Sequence, residues 1–464
     1  MSENDLSPAA RGGRLNLQGL EAQVRGGAID TVIVCMTDLQ GRLIGKRLTG
    51  RFFLETQAGP QLFCDYLLAT DMEMSLVPGY AAASWERGYG DFSLVPDLAT
   101  LRRVPWLPGT AIVLCDVADR EGRDLEHSPR QILKRQLSRL AALGYRANMA
   151  AELEFYLFDD SFSEARRKEY RGITPSSWYP EDGHVFQTSK DEPFIRVIRN
   201  MMEAADIPIE GSKAEWSPGQ QEINLQYAEA LEMADRLVLY KNGCKELAHQ
   251  AGKSISFMAK VDPSLAGNSF HMHLSLDRAE SGTPAFYDAD EPSGMSPVMR
   301  HALAGAMNNA SAATYFWAPN INSYRRFRPG TFAPTHLAWS HDNRTASFRV
   351  IGHGPSLRFE CRIPGADVNP YLAFAALLAG AIDGVETRAE LRPAQSGDGY
   401  QSSGASTIPL SLHDALQALD QSSALREALG DHAVDHYMRC GRRELEEFAA
   451  AVTDWEKIRL FERG

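Results

Sequence analysis

Arg146-Ala-Asn-Met-Ala-Ala-Glu-Leu-Glu-Phe-Tyr-Leu-Phe158 decides the fold. Taken every second residue, Ala147, Met149, Ala151, Leu153, Phe155 and Leu157 form one apolar line, the period of a β-strand whose side chains alternate between faces. Glu152 and Glu154 then share the opposite face. Further along, Phe270-His-Met-His-Leu-Ser-Leu276 repeats the pattern with His271, His273 and Ser275 on one side. Arg358-Phe-Glu-Cys-Arg362 likewise turns Phe359 and Cys361 away from Glu360. Three strands present polar stripes, and an α+β chain with an antiparallel sheet and helices is expected.

One such stripe alone reads as the wet face of a sheet. These hold carboxylates, imidazoles and arginines, with almost none of the lysine, threonine or glutamine of an ordinary solvated face. Glu215 and Glu222 add to the set. Two carboxylates about 4 Å apart repel by roughly 4 kcal/mol at an effective dielectric near 20, so five together require a divalent metal, arginine or protons. Hard oxygen ligands with an imidazole suit Mg2+ or Mn2+ better than zinc, and two ions could share so many ligands. Arg326, Arg344, Arg349, Arg358 and Arg362 follow within about forty residues and can grip phosphate and carboxylate oxyanions bidentately. Metals with arginines imply phosphoryl transfer.

The rest of the chain sets the context. Its 464 residues, 44% hydrophobic and 23% charged, suit a soluble protein of two domains. A net charge of −12 without a long basic run argues against nucleic acid or an anionic membrane as partner. Six scattered cysteines and the absence of a leader-like apolar segment suit a reduced, cytoplasmic protein. The apolar run Tyr371 to Ile382 is too short to span a bilayer. Residues 29–48 predict a hairpin turning at Asp38-Leu-Gln-Gly41, and Ala111 to Val117 a further strand. Ser128-Pro-Arg-Gln131 predicts a helix start with a capping box, carrying Leu133, Leu137 and Leu140 and stopping at Gly144. The domain boundary is placed just before Ser128, giving 1–127 and 128–464. Residues 159–192 and 395–406 read as surface loops, and the chain from Ser411 as helices that pack. Two near misses are set aside. Gly41 to Arg47 has the wrong spacing for a phosphate loop, and Gly267-Asn-Ser-Phe-His271 lacks the last glycine of a nucleophile elbow.

These segments, with Glu215-Trp-Ser-Pro-Gly-Gln-Gln-Glu222, Asn322-Ser-Tyr-Arg-Arg326, Asn343-Arg-Thr-Ala-Ser-Phe-Arg349 and Asn369-Pro-Tyr371, resemble the glutamine synthetase family in order and spacing. The resemblance implies a small N-terminal β-grasp domain, then a catalytic α+β domain, in a homo-oligomeric double ring (a dodecamer). It implies one metal on Glu154, Glu215 and Glu222 and a second on Glu152, His271 and Glu360. It further implies a glutamate site at Gly267, Arg326 and Arg362, and an ATP site at His273, Ser275, Arg344, Arg349 and Arg358, with Arg344 also catalytic. The implied chemistry is phosphorylation of the L-glutamate γ-carboxylate by ATP and attack of an amine on the acyl phosphate.

Two departures bear on the amine. Family members that use ammonium carry a glutamate between Pro-Gly and Ala-Pro; here Pro329-Gly-Thr-Phe-Ala-Pro334 puts Phe332 there. The family's Phe-Asp-Gly-Ser-Ser segment is matched only by Phe63 to Asp71, so the aspartate that deprotonates the amine is Asp65 or Asp71. Loss of negative charge and gain of apolar surface favour a primary amine with a carbon chain, such as ethanolamine or a polyamine, over ammonium. The competing expectations are a true glutamine synthetase, a metal-dependent amidohydrolase and a non-catalytic relative. Tyr400 lies where some members are adenylylated, but Gly397 to Ser402 lacks the surrounding pattern, so modification is not expected.

Overall fold

Alternation of apolar and acidic residues puts the strand Tyr145–Phe158 at the centre of the larger of two sheets. The computed structural model describes residues 12–180, 182–401 and 404–464. Strand order across this sheet is Trp339–His341, Phe348–Ile351, Arg358–Cys361, Phe270–Arg278, Tyr145–Phe158, Gln220–Leu225 and Ile209–Ala214. All neighbours are antiparallel except the first pair, which is parallel. The predicted apolar line is buried at Ala147, Met149, Ala151, Leu153, Phe155 and Leu157. Helices Pro129–Ala142 and Ala230–Gln250 pack on the central strand, and Phe374 of helix Pro370–Thr387 meets Phe270 at 5.9 Å between ring centroids. Helix Pro370–Thr387 comes so close to helix Pro297–Asn308 that a Cβ on Gly305 would collide with the Gly380 carbonyl and the Gly384 backbone. Backbone proximity of this kind requires glycine.

A smaller mixed sheet precedes it. The hairpin forms as predicted, Thr31–Thr37 pairing antiparallel with Leu43–Thr49, and Asp38 Oδ1 accepts the Gln40 and Arg42 amides at 3.0 and 2.8 Å to set the turn. Thr31–Thr37 runs parallel to Thr110–Ala118, which continues through Asp91–Pro96 to Gln61–Cys64. Buried Arg130 joins this part to the larger one: it bonds Asp116 and Asp97 at 2.7 Å and Asp235 of helix Ala230–Gln250 at 3.0 Å. The α+β reading therefore holds.

Two local expectations fail. The helix begins at Pro129, but Ser128 makes no side-chain cap, and its own N–H is donated to the Leu125 carbonyl at 3.0 Å, so Gln131 has no donor to cap. The stretch 159–192 is not all loop: it contains helix Phe162–Arg167, closed by a Ser161/Glu164 capping box, and the start of helix Val185–Ala204. That helix accommodates Pro193 in its interior, which masks it in the sequence. Between 395 and 406, Gly399–Gln401 forms a short turn, while residues 402 and 403 lie outside the described residues. From Ser411 onward the chain is helical: Leu412–Asp420, Ser423–Leu429, Asp431–Ala450 and Asp454–Leu460. All six cysteines are free thiols, and no helix among the described residues is long and apolar enough to cross a membrane.

Candidate active site

Strand register brings the polar stripes together. His271 lies opposite Glu152, His273 opposite Glu360, Glu360 opposite Arg349, and Glu154 opposite Glu222. Cross-strand partners share a face of the sheet, so residues far apart in sequence collect there. Two groups form, each with ligand atoms within 4.8 Å of one another: Glu154, Glu215 and Glu222, and Glu152, His273 and Glu360. His271 is adjacent to the second group, its Nδ1 at 3.1 Å from Glu152 and 3.5 Å from Glu360, and His273 Nε2 is 3.2 Å from Glu152. Both imidazoles thus reach the same carboxylate.

Glu154 is held by the Ser269 amide at 2.7 Å and by Gln220 Nε2 at 3.1 Å. Gln220 also donates to the Gly267 carbonyl, and Lys213, opposite Glu222 on the edge strand, pairs with Glu215. Sequence reasoning missed Gln220 and Lys213, although Lys213-Ala-Glu215 carries the period-two signal.

Crowding divides the carboxylates electrostatically. Burial, then Glu152, Glu154 and Glu215, pushes Glu222 from 4.5 up to about 9. Burial and Glu215 raise Glu154 to about 7. At Glu152 burial acts in the same sense but is outweighed by hydrogen bonds to His271 and His273, and at Glu360 by His271 and Arg362, so both stay below the usual range. Burial and Arg362 press His271 down to about 4. Without a cation, crowding favours protons on Glu154 and Glu222, while Glu152 is held by hydrogen bonds from the imidazoles and Glu360 by Arg349 and Arg362.

The arginines flank these groups. Arg362 Nη1 lies 2.5 Å from Glu360 Oε1, and Arg349 Nη1 lies 3.1 Å from Glu360 Oε2. Arg326 donates to the Ile363 carbonyl at 2.8 Å and to Ser269 Oγ at 3.0 Å. The Nε atoms of Arg326 and Arg362 are buried with no partner among the described residues. Gly267 sits against Arg326: a Cβ there would strike the Arg326 Cγ and stand 2.8 Å from the Ala259 carbonyl. Arg344 is exposed near Asp342, and Arg358 donates to the Ser356 carbonyl at 3.2 Å. Ser275 lies on the same strand as the histidines, opposite Asn148.

Phe332 is 58% exposed and holds φ +57°, a strained setting for a residue with a Cβ, in the loop that follows Arg326. The buried Tyr400 hydroxyl lies close to the backbone of Thr331 and Phe332 and feels the Arg362 charge, without a bond of good geometry. Within this chain neither aspartate joins the two groups. Asp65 accepts the Gly90 amide at 2.8 Å, while Asp71 is held by Arg443 at 3.2 Å and by the Ser75 amide at 2.7 Å.

With this arrangement in view, the comparison with known families is decisive: the description "glutamine synthetase, catalytic domain" matches residues 126–460. The chain belongs to the glutamine synthetase family. It is 48% identical over 460 residues to a gamma-glutamylethanolamide synthetase of Streptomyces coelicolor, covering 99% of this chain and 98% of that one. It is 35% identical over 442 residues to a glutamate–isopropylamine ligase of a Pseudomonas species, covering 94% and 95%. A solved structure described as a GmaS/ADP complex superposes with a TM-score of 0.84 at 28% identity, over 95% of this chain and 99% of the other. Family members use divalent metals and ATP, and the two groups are suited to such ions.

Proposed function

We propose that this chain is an ATP-dependent ligase that joins the γ-carboxylate of L-glutamate to a short primary amine, with ethanolamine as the model substrate, through a γ-glutamyl phosphate. The observation that carries this reading is the pairing of two carboxylate groups, fringed by arginines, with an exposed aromatic, Phe332, in the adjoining loop where ammonium users carry a glutamate. The Streptomyces and Pseudomonas relatives, named for an ethanolamide and for isopropylamine, support it.

The donor chemistry fits Mg2+ or Mn2+, since all ligands are carboxylates or imidazoles and two carboxyls of the set hold protons when no cation balances them. Glu154, Glu215 and Glu222 would hold one ion. Glu152, Glu360 and an imidazole would hold the other, the imidazole being His271 by family resemblance and His273 by closest approach. Bound there, the ions supply positive charge that balances the phosphate oxygens of ATP.

Arg326 and Arg362, each with an unpartnered buried Nε, bind the glutamate carboxylates, and Gly267 leaves the space Arg326 occupies. Arg344, Arg349 and Arg358, with His273 and Ser275, orient the ATP phosphates. The γ-phosphoryl group passes to a glutamate carboxylate oxygen and ADP leaves. The amine nitrogen then attacks the acyl carbon, phosphate departs, and a proton is lost from nitrogen. Asp65 retains a buried Oδ1 without a partner among the described residues, so we assign that proton to the Asp65 of a neighbouring subunit in the ring and not to Asp71, which Arg443 occupies. Phe332 lies along the alkyl chain. Residues 1–127 and 128–464 as separate domains, assembly as a double ring and a cytoplasmic location belong to the same proposal; sedimentation velocity tests the ring. Mass spectrometry of a reaction containing ATP, Mg2+, glutamate and ethanolamine should find ADP and γ-glutamylethanolamide in equal amounts. Glutamine as the only amide formed when ammonium is also present would overturn the proposal.

A further inference from the structure

A cavity of about 120 Å³, open to solvent beside the exposed Met72, Glu73 and Glu447, lies between residues 39–80 and helix Asp431–Ala450, and shares no residue with the two carboxylate groups. Tyr80, Tyr315, Phe316 and Tyr437 build its walls, and all are buried. Five carboxylates, Asp71, Glu73, Asp367, Glu444 and Glu447, line it against one guanidinium, Arg443, which is already engaged by Asp71 and Glu447. Asp367 and the half-buried Glu444 make no ion pair among the described residues and lie beside aromatic surface, while Glu73 and Glu447 are exposed at the mouth.

Unpaired acceptors inside the cavity specify the ligand further. Tyr80 is 4% exposed, and its hydroxyl, next to the Cys440 thiol, has no hydrogen-bond partner among the described residues. Asp367 Oδ1 and Gln40 Oε1 are likewise buried and unpartnered, while Asp367 Oδ2 is bonded by Asn320 at 2.9 Å and Ser323 at 2.6 Å. An ammonium head carries three N–H donors and no acceptor, the complement of three orphaned oxygens, and aromatic walls favour both a cation and its alkyl chain. Burial, with Glu73, Asp367 and Glu447 nearby, also raises the Glu444 carboxyl.

We propose that this cavity is a second binding site, for a small alkylammonium ion, separate from the site of chemistry. Asp367 also anchors Ser323 in the turn Ser323–Arg326, so an occupant would lie one side chain from the turn that carries Arg326. The inference goes beyond the ligase reading and does not depend on it.

The test is equilibrium dialysis of the full chain with labelled n-propylammonium, without ATP or glutamate, and with n-propanol as the uncharged control. Saturable binding of one n-propylammonium per chain is expected, with none of the alcohol. The double variant Glu73→Gln, Glu444→Gln should weaken binding at least about tenfold, and Tyr80→Phe should weaken it by a smaller factor. Phe332→Ala, at the other site, should leave it unchanged. Thermal unfolding verifies that each variant is folded. Absence of binding, equal binding of n-propanol, parental affinity in the folded double variant or loss of binding in Phe332→Ala would each overturn the proposal. Ligase turnover is measured separately, so failure here leaves the proposed function standing and failure there leaves this site standing.

Discussion

Loading the site with a divalent cation should release protons in a number set by the crowding of Glu222 and Glu154. At pH 7 a carboxyl raised to about 9 is almost fully protonated and one raised to about 7 is half protonated. His271, pressed to about 4, is already neutral and contributes nothing. Saturation with Mn2+ at pH 7 should therefore release about 1.5 protons per chain, falling to about 0.5 at pH 9. Titration calorimetry in buffers of different ionisation enthalpy reads this number directly. Glu222→Gln should lower it by about one at pH 7. Linkage has the same sign: both carboxyls are raised above their unfolded value near 4.5, so the folded chain binds more protons between that pH and 9. Ion-free stability should accordingly fall as pH rises through that window, and added cation should raise the melting temperature most at the alkaline end. Proton release near zero at pH 7 would refute the reasoning, because it would mean that the carboxylates tolerate one another without protons.

Phe332→Glu restores a carboxylate and removes the aromatic wall; with about 0.8 kcal/mol per buried methylene, a two-carbon amine should lose about tenfold in kcat/KM relative to ammonium. Gly267→Ala forces a methyl into the buried Arg326 side chain and against the Ala259 carbonyl, and steady-state kinetics should show the KM for glutamate rising at least about tenfold, with the melting temperature falling as the backbone shifts. Arg130→Ala strips three aspartates of their common partner in a buried setting, and urea denaturation should register a loss of about 3–5 kcal/mol.

Much of the candidate site was legible because strand periodicity is local. Once Tyr145–Phe158, Phe270–Arg278 and Arg358–Cys361 are read as strands, the face of Glu152, Glu154, His271, His273 and Glu360 follows from parity alone. What escaped depends on distant partners or on rotamers. Whether His271 or His273 completes the group with Glu152 and Glu360 is decided by side-chain torsions, since both lie on the same face. Asp71 gave no sign of its pairing with Arg443, 372 residues away. Gln131 had the right spacing for a capping box, but Leu125 had already taken the Ser128 amide. Lys213 and Gln220 sit on short strands whose polar faces look solvated until Glu215 and Glu154 are brought against them.

The most direct measurement is the ratio of kcat/KM for ethanolamine to that for ammonium, taken from ADP release with saturating ATP, Mg2+ and glutamate. A guanidinium-flanked pair of cation sites with Phe332 beside the amine predicts a ratio well above one, and a loss of turnover with both amines in Glu154→Gln. Efficient turnover with ammonium and none with ethanolamine would contradict it.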